Sequence, residues 1–197
     1  LPRWVRAFRE QHPRVDLELI EATGDVQLQA FERGEIDAGF MLHSPGFAPP
    51  GLAARRFVDE KLVLAMPELG ELARKRDLTV KDVLGQPLVI FPRRIVPSLY
   101  DAIFAMYHAA GESPRVAQEA IQMQTIVNLV SAGLGMAWVP ESVQQFQSPG
   151  VVYRSPSEGR GKSRLGVPGC ESSLVWPSGR VNPALARFTA FIAGSID

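Results

Sequence analysis

The chain has 197 residues, with 21 Lys and Arg balanced by 21 Asp and Glu, 46% apolar residues and 21% charged ones. That balance leaves no basic excess for phosphate neutralisation, the main source of nucleic-acid affinity, and the apolar content excludes a disordered charged linker. One cysteine, Cys170, forms no internal disulfide and makes no zinc set with three scattered histidines, and no apolar run approaches the roughly 18–20 residues of a membrane span.

The length fits one large domain or two small lobes. The chain opens on Leu1-Pro2 without a starting Met or a leader pattern, and reads as a cytoplasmic piece of something longer. Leu1, Trp4, Val5 and Phe8 recur at helical spacing, and His12-Pro13 ends that helix. Val15, Leu17 and Leu19 alternate with Asp16, Glu18 and Ile20, which predicts a strand. Thr23-Gly24-Asp25 carries N-cap chemistry for a helix through Leu28 and Phe31 that Gly34 stops. Residues 36–41 read as a buried strand, 43–51 as a Gly- and Pro-rich loop, and 57–66 as a long extended run.

Thr79 caps a brief helix stopped by Gly85, and Leu88 to Phe91 is a short apolar strand of the doubly buried kind. A helix runs from Pro97-Ser98 to about Ala110, followed by a strand at 116–120. Met123, Ile126, Val127 and Val130 mark an amphipathic helix ended by Gly133, and 135–139 is the next strand. Residues 151–154 are extended, 157–170 form a Gly-rich polar loop, and 173–176 is a strand. Asn182-Pro183 starts a last helix that ends at Gly194. The order helix, strand, helix, strand occurs twice, at 1–41 and at 96–140. Two similar α/β lobes follow from it, the last strand and helix completing the first. Open α/β sheets bind ligands outside the carboxyl ends of their strands.

His12, His43 and His108 are each solitary, and surface or capping roles suit them better than catalysis. Gly133-Leu134-Gly135 ends a helix and opens a strand, the reverse of a dinucleotide fingerprint, so it reads as a helix stop with tight packing. Phe91-Pro92-Arg93-Arg94 lies between a buried strand and the helix that starts at Pro97, Ser98 and Leu99. Free N–H groups and the positive dipole end gather at such a junction, and an arginine there could clamp a carboxylate. Thr23-Gly24 and Gln122-Met123 occupy comparable junctions. Plain capping and solvated-loop roles explain each of these residues singly. Taken together, three helix N-termini favour an anionic small molecule.

The runs GEIDAGF at 34–40 and QTIVNLVSAGLGMAWVP at 124–140 carry a resemblance, as do EKLVLAMP, FPRRIVPSLYDAI and the opening forty residues. Nearly the whole chain resembles the effector-binding domain of LysR-type transcriptional regulators. The resemblance implies an α/β, two-lobed, periplasmic-binding-protein-like (type 2) fold with two crossover segments. Lobe I would be 1–61 plus 150–197 and lobe II 62–149. An effector would bind between the lobes, at the turn Thr23-Gly24, the strand end Phe40 and Leu42, the helix start Pro97, Ser98 and Leu99, and the junction Gln122-Met123.

Some members that take aromatic carboxylates place an arginine near Leu42; here Arg93 is the expected substitute. The implied partners are a small organic-acid effector and a second copy, residues 2–20 of one meeting 98–120 of the other. DNA would be met only through a winged helix-turn-helix ahead of this domain. No catalysis, cofactor, metal or membrane contact is implied. A transporter's solute-binding protein on the same fold is the alternative, and an enzyme on that scaffold lacks a defensible acid–base or nucleophile set. Family domains also begin with a strand that precedes Leu1 here, so the segment 15–20 is expected to present an unpaired edge.

Overall fold

The computed structural model describes residues 2–47, 49–145, 147–159, 165–179 and 182–195. Leu1 and part of the 157–170 loop, both named above, lie outside them. Helices are α1 (Pro2–Gln11), α2 (Gly24–Arg33), α3 (Val80–Leu84), α4 (Pro97–Ala109), α5 (Met123–Ser131) and α6 (Pro183–Ser195). Strands are β1 (Gly39–His43), β2 (Leu52–Pro67), β3 (Leu88–Ile90), β4 (Val116–Glu119), β5 (Ala137–Pro140), β6 (Val151–Arg154) and β7 (Gly169–Pro177). One sheet runs in the order β1-β7-β2-β5 with β6 also on β2, and a second joins β3 to β4.

The chain divides into two compact units, 1–41 with 48–57 and 172–197, and 42–47 with 58–171. The boundary drawn from the sequence assigns 150–171 to the first lobe. Instead β6 pairs antiparallel with β2 over Met66↔Val152 and Ala65↔Tyr153, which ties that segment to the second unit.

The second unit is built on a continuous apolar core. Leu62 to Met66 are at most 3% exposed, and β3, Ile103, Val127, Val130 and Val139 are buried with them. β3 and β4 are parallel, with α4 as the connection between them, a βαβ unit. A Thr79–Asp82 capping box starts α3, with Lys75 Nζ 2.7 Å from the same carboxylate. Gly135 has a packing reason: a Cβ there would lie 2.4 Å from the Pro87 carbonyl, whose oxygen accepts the Met136 N–H at 2.8 Å. The expected helix stop with tight packing is what the structure holds.

The first unit is held by rings. Phe8 is fully buried and meets Phe188 and Phe191 edge-on at 5.0 and 5.4 Å, which docks α6 on α1. Trp4 and Phe40 both pack on Phe57, and Phe31, Met41 and Val175 form a small separate cluster. Asn182 caps α6 through the Leu185 N–H at 2.8 Å, as its sequence position predicts.

Residues 15–20 are not a strand, contrary to their alternation. No strand of the described residues pairs with them, and a lone strand has no internal hydrogen bonds. Leu19 and Ile20 stand 67% and 60% exposed. A groove of about 860 Å³ runs between α1 and this segment, lined by Arg6, Arg9, Arg14 and Leu19 among others. β1 also begins later than the pattern predicts, at Gly39, where α2 comes close. A Cβ on Gly39 would fall 2.1 Å from Gln27 Oε1.

Gly39→Ala is therefore expected to cost about 1–3 kcal/mol. Gln27→Ala added to it should cost less than the sum of the two single changes. Denaturant unfolding of the singles and the double checks this; strict additivity would contradict the contact.

Candidate functional site

The two junctions singled out in the second unit share one edge of the β3–β4 pair. Because these strands are parallel, their carboxyl ends lie together. α4 follows one end and α5 the other. After β3 the chain buries Phe91 and Pro92 and turns, with the Ile95 N–H on the Pro92 carbonyl at 3.0 Å. Val96 is the N-cap and Pro97 the first helical residue, where a missing N–H costs nothing. Ser98 thus falls in the first turn of α4. Its Oγ accepts the Ser44 backbone N–H at 3.1 Å.

Leu99 faces the other way. It is 1% exposed and belongs to the core, so its contribution is packing. Pro97 is exposed.

Arg93 does not stand open as a clamp. Its Nε and Nη2 donate to the two carboxylate oxygens of Asp101, both at 2.7 Å. The hydrogen bond raises the guanidinium pKa and holds the Asp101 carboxyl below its ordinary value. The two-point geometry expected to meet a ligand is spent on α4 itself.

At the second junction Gln122 is the N-cap of α5 and its carbonyl accepts the Ile126 N–H at 3.0 Å. Met123 is half-buried against the core, and Gln122 is exposed. α5 rests on β3 and β5 through Ile126, Val127 and Val130.

In the first unit Thr23 is the N-cap of α2, but its hydroxyl bonds to the Asp25 carboxylate and caps no amide. Gly24 is the first helical residue. Phe40 is half-buried on Phe57, ring centroids 4.9 Å apart. Its carbonyl and that of Ala22 both accept from Gln27 Nε2, at 3.3 and 2.9 Å. Leu42, in the second unit, packs against that unit's core.

Two residues that the sequence pattern does not single out, Ser44 and Gln27, and one that it assigns to a surface or capping role, His43, carry polar groups of note. His43 is the last residue of β1, not a loop residue, and is only 4% exposed. Its Nδ1 lies 2.8 Å from the Ser44 carbonyl, so that nitrogen carries the proton. Ser44 and Gln27 each hold a buried side-chain oxygen with no partner. Ser44 follows the strand and precedes Pro45, a spacing that marks the strand's end but carries no chemical signature.

Among the described residues no group of three His, Cys, Asp or Glu is placed to hold a metal ion. Burial pushes the Cys170 thiol up to about 12, which keeps it from acting as a thiolate. No helix of the described residues is long and apolar enough to cross a membrane.

Two α/β units, with helix N-termini at the carboxyl edge of a parallel pair, define the periplasmic-binding-protein-like class of ligand-binding domain. Residues 1–196 match the LysR substrate binding domain, and the chain belongs to that family: it is the effector-binding domain of a LysR-type regulator. It is 41% identical over 186 residues to the HTH-type transcriptional regulator IlvR of Caulobacter vibrioides, covering 94% of this chain and 60% of that protein. The chain therefore spans well under two thirds of this relative's length. Among solved structures, the effector-binding domain of QuiR in complex with shikimate superposes with a TM-score of 0.80 at 16% identity, over 99% of this chain and 89% of that one. The BenM effector-binding domain with its effector benzoate gives 0.73 at 20% identity, over 99% and 85%.

Leu99→Ala should cost about 2–5 kcal/mol, as large-to-small changes in a core do. Arg93→Ala should leave the unfolding midpoint nearly unchanged, because its ion pair is exposed and screened. Urea unfolding of both variants checks the contrast, and the reverse order would mean that the core and surface roles are misassigned.

Proposed function

We propose that this domain senses a small organic acid, with the first turn of α4 and the start of α5 as its anion-binding edge, and performs no chemistry. One observation carries the reading: Ser98 sits in the first helical turn, beside amides with no intrahelical acceptor and at the positive end of the dipole. Gln122 and Met123 join it at the same sheet edge. Thr23, Gly24 and Phe40 stay in the set on the resemblance alone. Arg93, already held by Asp101, leaves the anion to the helix ends. Shikimate and benzoate, named with two structural neighbours, are carboxylates and suit this reading. Relatives that are transcriptional regulators support a role without turnover.

An effector changes a regulator only by favouring one arrangement of the domain over another. In the whole protein that difference would pass to a DNA-binding part and its spacing. At 100 times its Kd a carboxylate effector should add about 2.7 kcal/mol of stability. A thermal-shift panel of organic acids, neutral sugars and amines tests this. Ser98→Phe should abolish the response. A response to sugars or amines alone contradicts the anion reading, and turnover of any compound contradicts the non-catalytic one.

The domain also pairs with a second copy in this reading, α1 and residues 13–20 against α4 and β4. Charge supports the match. The groove beside α1 carries Arg6, Arg9 and Arg14 against Glu10 and Asp16, and the other face carries Glu112 and Glu119 against Arg115, a small excess of opposite sign on each. β4 is exposed along its whole length. Sedimentation should find a dimer that Arg6→Glu with Arg9→Glu dissociates; a monomer at every concentration contradicts the pairing.

A further inference from the structure

Ser44 is a residue that neither the sequence pattern nor the proposed site includes, and its two polar groups are in unlike positions. Its backbone N–H is used, donated to Ser98 Oγ at 3.1 Å. Its hydroxyl oxygen is buried and has no hydrogen-bond partner. Buried hydroxyls are paired in the great majority of proteins, and one left over calls for a reason.

The hydrogen bond also constrains Ser98. A hydroxyl has two lone pairs and one proton to place. Here one lone pair takes the Ser44 N–H, and the rest of the group sits in the positive field of the α4 N-terminus. That field draws the oxygen towards the helix and turns the proton outward. An oxygen that already accepts is also a stronger donor. No acceptor for the Ser98 proton is found among the described residues. Two neighbouring residues therefore hold hydroxyl protons without acceptors, beside the helix end assigned to the anion.

We infer that Ser44 is a second ligand-binding hydroxyl of the effector site, and that its amide orients Ser98 to donate, so that the pair selects a ligand oxygen with free lone pairs. The inference rests on the effector reading above and deepens it. A carboxylate offers two such oxygens and takes both protons, without an arginine. A ligand that presents only donors, such as an ammonium, meets two protons and the positive helix end, and is rejected. Arg93 agrees with this division of labour, since Asp101 already occupies its fork.

The roles separate in a variant series. Ser44→Ala removes a hydroxyl that pairs with nothing in the free protein, so it should leave the unliganded melting temperature unchanged or slightly higher. It should weaken binding of benzoate or shikimate, whichever the wild type takes, by roughly 10- to 100-fold, the range for a hydrogen bond to a charged group. Ser44→Thr keeps the hydroxyl and should restore most of the affinity. Ser98→Ala should weaken the same acid and narrow the preference for it over benzylamine. Calorimetric titration and thermal unfolding of the chain supply both readings. A clear fall in the unliganded melting temperature of Ser44→Ala would mean that its hydroxyl has a structural partner, and would overturn the inference. Unchanged acid affinity in Ser44→Ala, with Ser98→Ala impaired, would remove Ser44 and keep the site. If the wild type binds neither acid but takes the amine, the effector reading itself falls, and this inference with it.

Discussion

Burial of β3 is the constraint from which the rest of the second unit follows. Leu88, Val89 and Ile90 are at most 3% exposed, so this three-residue strand can lie only in the middle of the core. It is paired in parallel with β4, which obliges a crossover, and α4 is that crossover. Pro97 then fixes where the helix begins. The polar first turn of α4 and the start of α5 thus reach the same edge because apolar residues behind them leave no other arrangement. The proposed site at that edge is a by-product of packing: Leu99 and Met123, next in sequence to Ser98 and Gln122, anchor the two helix ends in the core.

The first unit is organised differently. Its apolar contacts include rings on rings at α1, α6 and β2 and the cluster of Phe31, Met41 and Val175, with Leu174, Leu185 and Ile192 also buried. Residues 13–23 contribute no buried side chain, and of their apolar residues Leu19 and Ile20 face solvent while Val15 and Leu17 are half-buried. An exposed segment with unpaired backbone groups is a ready template for another strand.

Much of this was legible in the sequence. Helix limits were readable where cap chemistry is written out, as with Thr79 and Gly85 at the two ends of α3, or Asn182 with Pro183 at the start of α6. Strands with wholly apolar runs were readable too, because burial on both faces leaves no alternative. The segment 15–20 was misread because alternation reports only which face a side chain would take. Whether a neighbour supplies the hydrogen bonds is a non-local fact. Of the proposed site, only the helix starts were legible. Ser98 and Gln122 are announced by helix starts, whereas Arg93 looked like a free cation because its partner Asp101 lies eight residues away on the next element. Ser44 carries no sequence signal at all; only its contact across 54 positions brings it to Ser98.

The central claim is that a small carboxylate binds at the α4 and α5 N-termini. Amide chemical-shift mapping during titration with benzoate and shikimate tests it most directly. Saturable shifts are expected to concentrate at Ser44, Ser98, Leu99, Gln122 and Met123, with the buried amides of β5 little affected. Saturable shifts confined to the α1 groove, or none at those five residues with either acid, would contradict it.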